Sequence, residues 1–75
     1  MHVLEHIRRE RSLTAEQMAL ILGFSRTRYY ELLKGEWKPS LPLIDRISKK
    51  LHLPWGELVE QDGFFKWVGV NDRTL

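Results

Sequence analysis

The first residues of the chain carry a pattern that could bind a metal ion. His2, Glu5 and His6 have the spacing H-x-x-E-H, in which two histidines one helical turn apart could share a zinc ion while the glutamate acts as a base. Metal catalysis would also need a third ligand and a substrate cleft, which a few short helices do not supply. We therefore favour a simpler interpretation, the polar face of a first helix. We expect no catalytic residues, no metal, no cofactor and no enzyme activity.

Positive charge is concentrated in the first half of the chain. The formal net charge is +2, and the isoelectric point is near 9.2. Residues 1–38 hold seven lysines and arginines against five acids, and the remaining residues carry equal numbers of each sign. This excess permits a polyanionic partner such as a nucleic acid, provided that the fold brings the cations to one face.

The length and composition predict one small folded domain. The 75 residues leave room for a single hydrophobic core, and 43% hydrophobic with 29% charged residues is typical of folded domains. The longest apolar run is residues 19–22, and the first residues lack the pattern of a secretion signal. We expect a cytoplasmic protein with no membrane partner and no small-molecule ligand.

Helix start and stop signals divide most of the chain into five short helices. Thr14 and Gln17 have the capping-box spacing that starts a helix. Gly23 suits the left-handed end of that helix, and Ser25 is a favoured cap for the next one. The predicted helices span residues 3–11, 15–22, 26–34 and 41–51, and a short fifth helix begins after Pro54.

The second and third predicted helices form a helix-turn-helix unit. They are joined by a three-residue turn that contains glycine, and in such units the second helix enters the major groove of DNA. Ala19 and Gly23 are small enough to let the two helices approach closely. Phe24, Tyr29 and Leu32 are expected to hold the third helix against the core and leave its other face free.

From about Leu4 to Val59 the chain resembles the phage lambda repressor and Cro (XRE-like) type of helix-turn-helix domain. The resemblance is carried by Leu4-x-x-Ile7-Arg8, Leu13-Thr14, Met18-Ala19-x-x-Leu22-Gly23, Phe24-Ser25-Arg26-Thr27, Leu32-x-x-Gly35, Pro39-Ser40-Leu41, Ile44-x-x-Ile47 and Leu51-x-Leu53-x-x-x-x-Leu58. No single motif is specific, but together they match without gaps. The resemblance implies an all-α fold of five helices, DNA binding as a symmetric dimer and, usually, control of transcription.

The resemblance also implies which residues meet DNA. Arg26, Thr27 and Glu31 occupy positions at which such proteins reach base edges, where arginine can bind guanine and glutamate can accept from cytosine. Arg28 occupies a position that reaches bases or phosphates. The full expected DNA-binding set is Ser25, Arg26, Thr27, Arg28, Tyr30, Glu31, Lys34, Trp37 and Lys38.

Several of these side chains have a simpler interpretation. Exposed arginines and lysines on a short helix are solvated charges in most proteins, and Glu31 could pair with a neighbouring cation on its own helix. Tyr29 is expected in the core. Tyr30 is expected to be exposed, where it could touch a phosphate or a thymine methyl group.

The chain departs from the family pattern at three positions. Ala15 replaces a glutamine that commonly contacts phosphate, and an alanine side chain cannot donate to phosphate. Leu33 replaces a glutamate that usually pairs with the arginine of the first helix, so we expect Arg8 to be free for solvent or DNA. Leu20 points away from the apolar face of its helix, which indicates an apolar contact outside the core.

The residues after the predicted helix-turn-helix domain, 62–75, form a tail of different composition. Residues 64–70 are aromatic and β-branched, which predicts a strand with two largely apolar faces. A helical domain offers such a strand no sheet to join, so one hypothesis pairs it with the same strand of a second subunit. The alternative is a tail that folds back over its own helices and covers Leu20.

These observations predict a sequence-specific DNA-binding regulator formed by residues 1–61. A repressor that acts as a homodimer by occupying its operator is the simplest version. The second hypothesis is a protein-interaction domain, such as an antitoxin or a partner of another regulator, for which Leu20, Ile21 and the aromatic tail are suited.

Overall fold

The computed structural model describes residues 1–36 and 38–69. Over these residues the chain forms α1 (Val3–Glu10), α2 (Ala15–Leu22), α3 (Arg26–Leu33), α4 (Leu41–Leu51) and α5 (Trp55–Leu58). The described part contains no β-strand, only two isolated bridges. The prediction of an all-α fold with five helices is confirmed, and none of the described helices is long and apolar enough to cross a membrane.

The helix ends follow the local capping chemistry expected from the sequence. The Thr14 hydroxyl accepts from the Gln17 amide at 3.1 Å, and the Gln17 side chain accepts from the Thr14 amide at 2.8 Å. The predicted capping box is therefore present at the start of α2. Gly23 ends α2 with a φ of 83°, a left-handed conformation that costs glycine little.

The core lies where the inner faces of the helices meet. α2 packs against α3 and α4, and α4 packs against α5. The buried cluster comprises Val3, Leu4, Ile7, Met18, Ala19, Leu22, Tyr29, Leu32, Ile47, Leu51, Leu58 and Phe65. Each large apolar side chain buried in this way stabilises the fold by roughly 1.5–3 kcal/mol. All five helices contribute to the cluster, and Phe65 adds a residue from the tail.

The tail pairs its backbone with other parts of the same chain. The Lys66 amide donates to the Leu58 carbonyl at 2.9 Å, and the Lys66 carbonyl accepts from the Val3 amide at 2.9 Å. Further along, the Val68 amide donates to the Met1 carbonyl at 2.7 Å. Backbone groups near the start of α1 and at the end of α5 thus form hydrogen bonds with the backbone of Lys66 and Val68.

This arrangement corrects the expectation that the tail has nothing to pair with. The short extended segments next to α1 and α5 supply the partners, through bridges of His2 with Trp67 and of Val59 with Phe65. The tail therefore folds back on its own chain, although it does not cover Leu20, whose surface is 79% exposed. Val70, the last residue of the predicted strand, lies outside the described residues.

The residues of the H-x-x-E-H pattern have separate roles in the structure. His2 caps α1, because its Nδ1 accepts from the Leu4 amide at 3.0 Å. His6 lies 3.2 Å from Glu10, and Glu5 bonds to other residues described below. Burial lowers the pKa of His2 to about 4, so its imidazole is neutral at neutral pH. Among the described residues no group of three or more potential ligands is placed to hold a metal.

Candidate nucleic-acid interface

The two faces of α3 differ in burial as the helix-turn-helix arrangement requires. Tyr29 and Leu32 are buried against the core, with 0% and 2% of their surfaces exposed, and Tyr30 is 51% exposed on the opposite face. The described candidates for DNA binding are all exposed: Ser25, Arg26, Thr27, Arg28, Tyr30, Glu31, Lys34 and Lys38. The ninth, Trp37, lies outside the described residues. We call the exposed side chains of Arg26–Leu33 the outer face of α3.

The start of α3 places its first turn at the protein surface. The Ser25 hydroxyl accepts from the Arg28 amide at 3.1 Å and so caps the helix. Arg26 and Thr27 follow directly after this cap, in the first turn. Both side chains therefore project from the end of the helix nearest the turn, the part that contacts base edges when such a helix lies in a major groove.

The charged residues of the outer face form loose pairs. Arg26 lies 3.4 Å from Glu16, and Arg28 lies 3.9 Å from Glu31. The pairing of Glu31 with a cation of its own helix, one of the expected alternatives, is therefore present. All of these side chains are at least half exposed, and exposed pairs of this kind contribute only about 0–1 kcal/mol. They can exchange partners for DNA groups at little cost.

The turn between α2 and α3 is fixed from the side by α4. The Phe24 amide donates to the Ala19 carbonyl at 2.8 Å, a bond that the left-handed Gly23 makes possible. The guanidinium of Arg46 lies 5.4 Å from the centre of the Phe24 ring and donates to the Gly23 carbonyl at 3.4 Å. Sequence reasoning missed Arg46, because no motif in its own helix distinguishes it from an ordinary surface arginine.

A polar cluster holds the inner side of α3 to α1. We call Glu5, Arg8 and Tyr29 the inner cluster. The Arg8 guanidinium donates to both carboxylate oxygens of Glu5 at 2.9 Å, and the Tyr29 hydroxyl donates to Glu5 at 2.8 Å. Arg8 also donates to the Leu13 carbonyl at 2.6 Å. The expectation that Arg8 is free was wrong, because Glu5, one turn earlier on the same helix, replaces the glutamate absent at Leu33.

Three cations line a groove beside the outer face of α3. Arg28, Lys38 and Arg46 surround a surface depression of about 520 Å³. Its remaining lining residues are Phe24, Ser40, Pro42 and Leu43. A depression of this charge next to an exposed helix can accept a phosphate group, because arginine and lysine donate charge-assisted hydrogen bonds to phosphate oxygens.

A protein-family model described as helix-turn-helix matches residues 4–58. The chain belongs to this family, which comprises DNA-binding transcription regulators of the lambda-repressor type and not enzymes. No curated protein and no solved structure matches the chain significantly. The match covers the whole helix-turn-helix unit and ends before the tail, so the packing of the tail is a feature of this chain that the family match does not describe.

Contacts within the inner cluster shift the pKa of each of its three members away from neutral pH. Hydrogen bonding by Arg8 lowers the pKa of Glu5, and the same contact raises the pKa of Arg8. Burial and the bond to Glu5 raise the pKa of Tyr29 above its usual range. At neutral pH Tyr29 is therefore a stable donor to an ionised carboxylate, and its ring remains in the core.

Proposed function

We propose that the protein binds double-stranded DNA sequence-specifically through the outer face of α3. It acts in the cytoplasm as a homodimer. The dimer occupies an operator and represses transcription by blocking access to that site. Arg26, Thr27 and Glu31 read base edges, and Ser25, Arg28 and Tyr30 contact bases or phosphates. Lys34, Trp37 and Lys38 contact phosphates, and Arg46 at the basic groove does the same.

One observation supports this proposal above the others. The same helix that buries Tyr29 and Leu32 leaves Arg26, Thr27 and Arg28 exposed in its first turn, beside a basic groove. A helix held rigidly on one side and polar on the other can enter a major groove without rearrangement, so little ordering entropy opposes binding.

Selection of bound sequences from a random duplex pool tests the proposal. We expect enrichment of one motif, and we expect affinity to fall steeply as salt increases, because each phosphate contact releases counterions. Mobility shifts of the enriched duplex and of a scrambled duplex, each at two salt concentrations, separate base recognition from general phosphate binding. A chain that shows no salt-sensitive binding to any duplex would contradict the proposal.

The homodimer is tested separately from DNA binding. A symmetric dimer predicts an enriched motif with two half-sites about 34–36 Å or a multiple of this distance apart. Sedimentation of the protein with and without the duplex measures the number of subunits. A single copy bound to an asymmetric site would contradict the dimer and leave base recognition intact.

A second candidate function rests on the exposed residues of α2. Leu20 is 79% exposed and Ile21 is 37% exposed, although both are large and apolar. A protein-interaction domain, such as an antitoxin or a partner of another regulator, would bury these side chains in a complex. The Leu20→Asp variant should then lose the partner while it retains DNA binding. A loss of DNA binding instead would contradict this separation of surfaces.

A further inference from the structure

The tail contacts the connection between α3 and α4 at two points. The Trp67 ring lies over Gly35, where a methyl group in place of a glycine hydrogen would be 3.2 Å from Trp67 Cζ2. The side chain of Lys38 crosses Gly63 so closely that a methyl group there would be 2.5 Å from Lys38 Cε. The tail therefore touches this connection near its start and again just before α4.

The part of the tail that makes these contacts is itself fixed to the domain. Phe65 is buried in the core, with 6% of its surface exposed. The His2 ring lies 4.9 Å from the Phe65 ring and 5.3 Å from the Trp67 ring, between centroids. The backbone of Lys66 bonds to both neighbouring segments, at Leu58 and Val3. The Trp67 ring thus contacts His2 on one side and Gly35 on the other.

The connection that receives these contacts carries two of the proposed phosphate-binding residues. Lys34 begins the connection, Lys38 lies within it, and both are exposed. Gly35 has a φ of 68°, a left-handed conformation that ends the helical backbone. Backbone outside helices depends on packing for its order. A lysine on an ordered backbone loses less conformational entropy when it binds phosphate.

We propose that Gly63 and Trp67 form a brace that positions the α3–α4 connection for DNA binding. Trp67 and Gly63 are positioning residues: they act through Gly35 and Lys38 and do not themselves read bases. The inference rests on the proposed function and deepens it, because it makes DNA affinity depend on residues beyond the segment that matches the family.

The Trp67→Ala variant tests the brace. We expect helix content by circular dichroism to be retained, because Trp67 is 56% exposed, and amide hydrogen exchange at Gly35, Glu36 and Lys38 to accelerate. Affinity for all duplexes should fall by about threefold to tenfold, the size expected when one or two interface side chains must be ordered on binding. Sequence preference should not change. Phe64→Ala, which truncates another exposed aromatic ring of the tail, is the matched control and should leave both readouts unchanged.

The outcomes distinguish the brace from the proposed function. Unchanged hydrogen exchange in Trp67→Ala overturns the brace, and so does equal loss of affinity in Trp67→Ala and Phe64→Ala. If the wild-type chain binds no duplex, the proposed function fails, and the exchange rates alone decide whether the tail orders the connection.

If Trp67→Ala unfolds, Trp67→Phe is used, since it keeps a ring near His2 with a shorter reach toward Gly35. It should accelerate exchange at Gly35, and an unchanged rate overturns the brace.

Discussion

On the inner side of α3, Glu5 accepts hydrogen bonds of 2.8–2.9 Å from Arg8 and Tyr29. On the outer side, Arg26 and Arg28 meet acidic side chains at 3.4 and 3.9 Å. The Glu5 and Arg8 side chains are 17% and 20% exposed, whereas the outer pairs are 50–72% exposed. The difference separates two uses of charge around α3. The enclosed bonds of α1 to Tyr29 fix the position of the helix, and the exposed pairs on its outer side can exchange an acidic partner for a DNA group.

The largest effect expected from this comparison is on stability. Glu5→Ala leaves the Tyr29 hydroxyl without its acceptor and the Arg8 guanidinium with only the Leu13 carbonyl, and we expect it to lower the free energy of unfolding by about 3 kcal/mol. Glu31→Ala, the matched control on the outer face, should change it by less than about 0.5 kcal/mol. Urea unfolding of both variants measures the two values. Equal losses would show that the two sides do not differ in this way.

Acid should weaken the fold through the buried His2. The pKa of His2 is lowered from 6.5 to about 4, so between these values the unfolded chain binds a proton that the folded chain does not. The free energy of unfolding should therefore decrease as the pH is lowered from 6.5 to about 4, by about 3 kcal/mol in total. His2→Asn retains a capping oxygen but does not titrate, and its unfolding curves should depend less on pH there. An identical pH dependence in the variant would contradict this assignment.

Arg26 should affect binding and leave stability unchanged. Arg26→Ala should relax the preference at one base pair and cost about 1–3 kcal/mol on the preferred duplex. Urea unfolding of the variant should match the wild type, since its pair with Glu16 is exposed. The comparison of preferred and scrambled duplexes is the measurement. A uniform loss on every duplex would make Arg26 a phosphate contact and not a base-reading residue.

The smallest expected effect belongs to Lys38. Lys38→Ala should weaken binding to all duplexes similarly, by about 1 kcal/mol or less, and reduce the salt slope by about one. Titrations at several salt concentrations measure that slope. An unchanged slope would remove Lys38 from the phosphate contacts.

The helices could be predicted from sequence because their ends depend on local chemistry. Thr14 with Gln17, Gly23 and Ser25 specify their caps within a few residues, and each formed as expected. The burial of Tyr29 and the exposure of Tyr30 also followed from their positions on one helix. The family match confirms the helix-turn-helix assignment, and the individual DNA contacts stay predictions.

Contacts between distant residues could not be predicted in the same way. The role of Arg8 depends on Glu5 and on Tyr29, which lies 24 residues after Glu5. The departure from the family pattern at Leu33 gave the wrong expectation for Arg8, although the spacing of Glu5 and Arg8 by three positions offered a signal. The tail pairs with residues next to α1 and α5 that carry no strand pattern. Only the folded arrangement shows that their backbone is extended and available.

The bridge between His2 and Trp67 joins two residues that stand 65 positions apart, whereas the helical hairpins join near neighbours along the chain. Closing so long a loop costs more entropy than forming those hairpins, so we expect this contact to form late when the chain folds. Because the bridge is isolated and Trp67 is half exposed, we also expect it to open before the helices on warming. Affinity for DNA should then begin to decline at temperatures where the five helices are still intact.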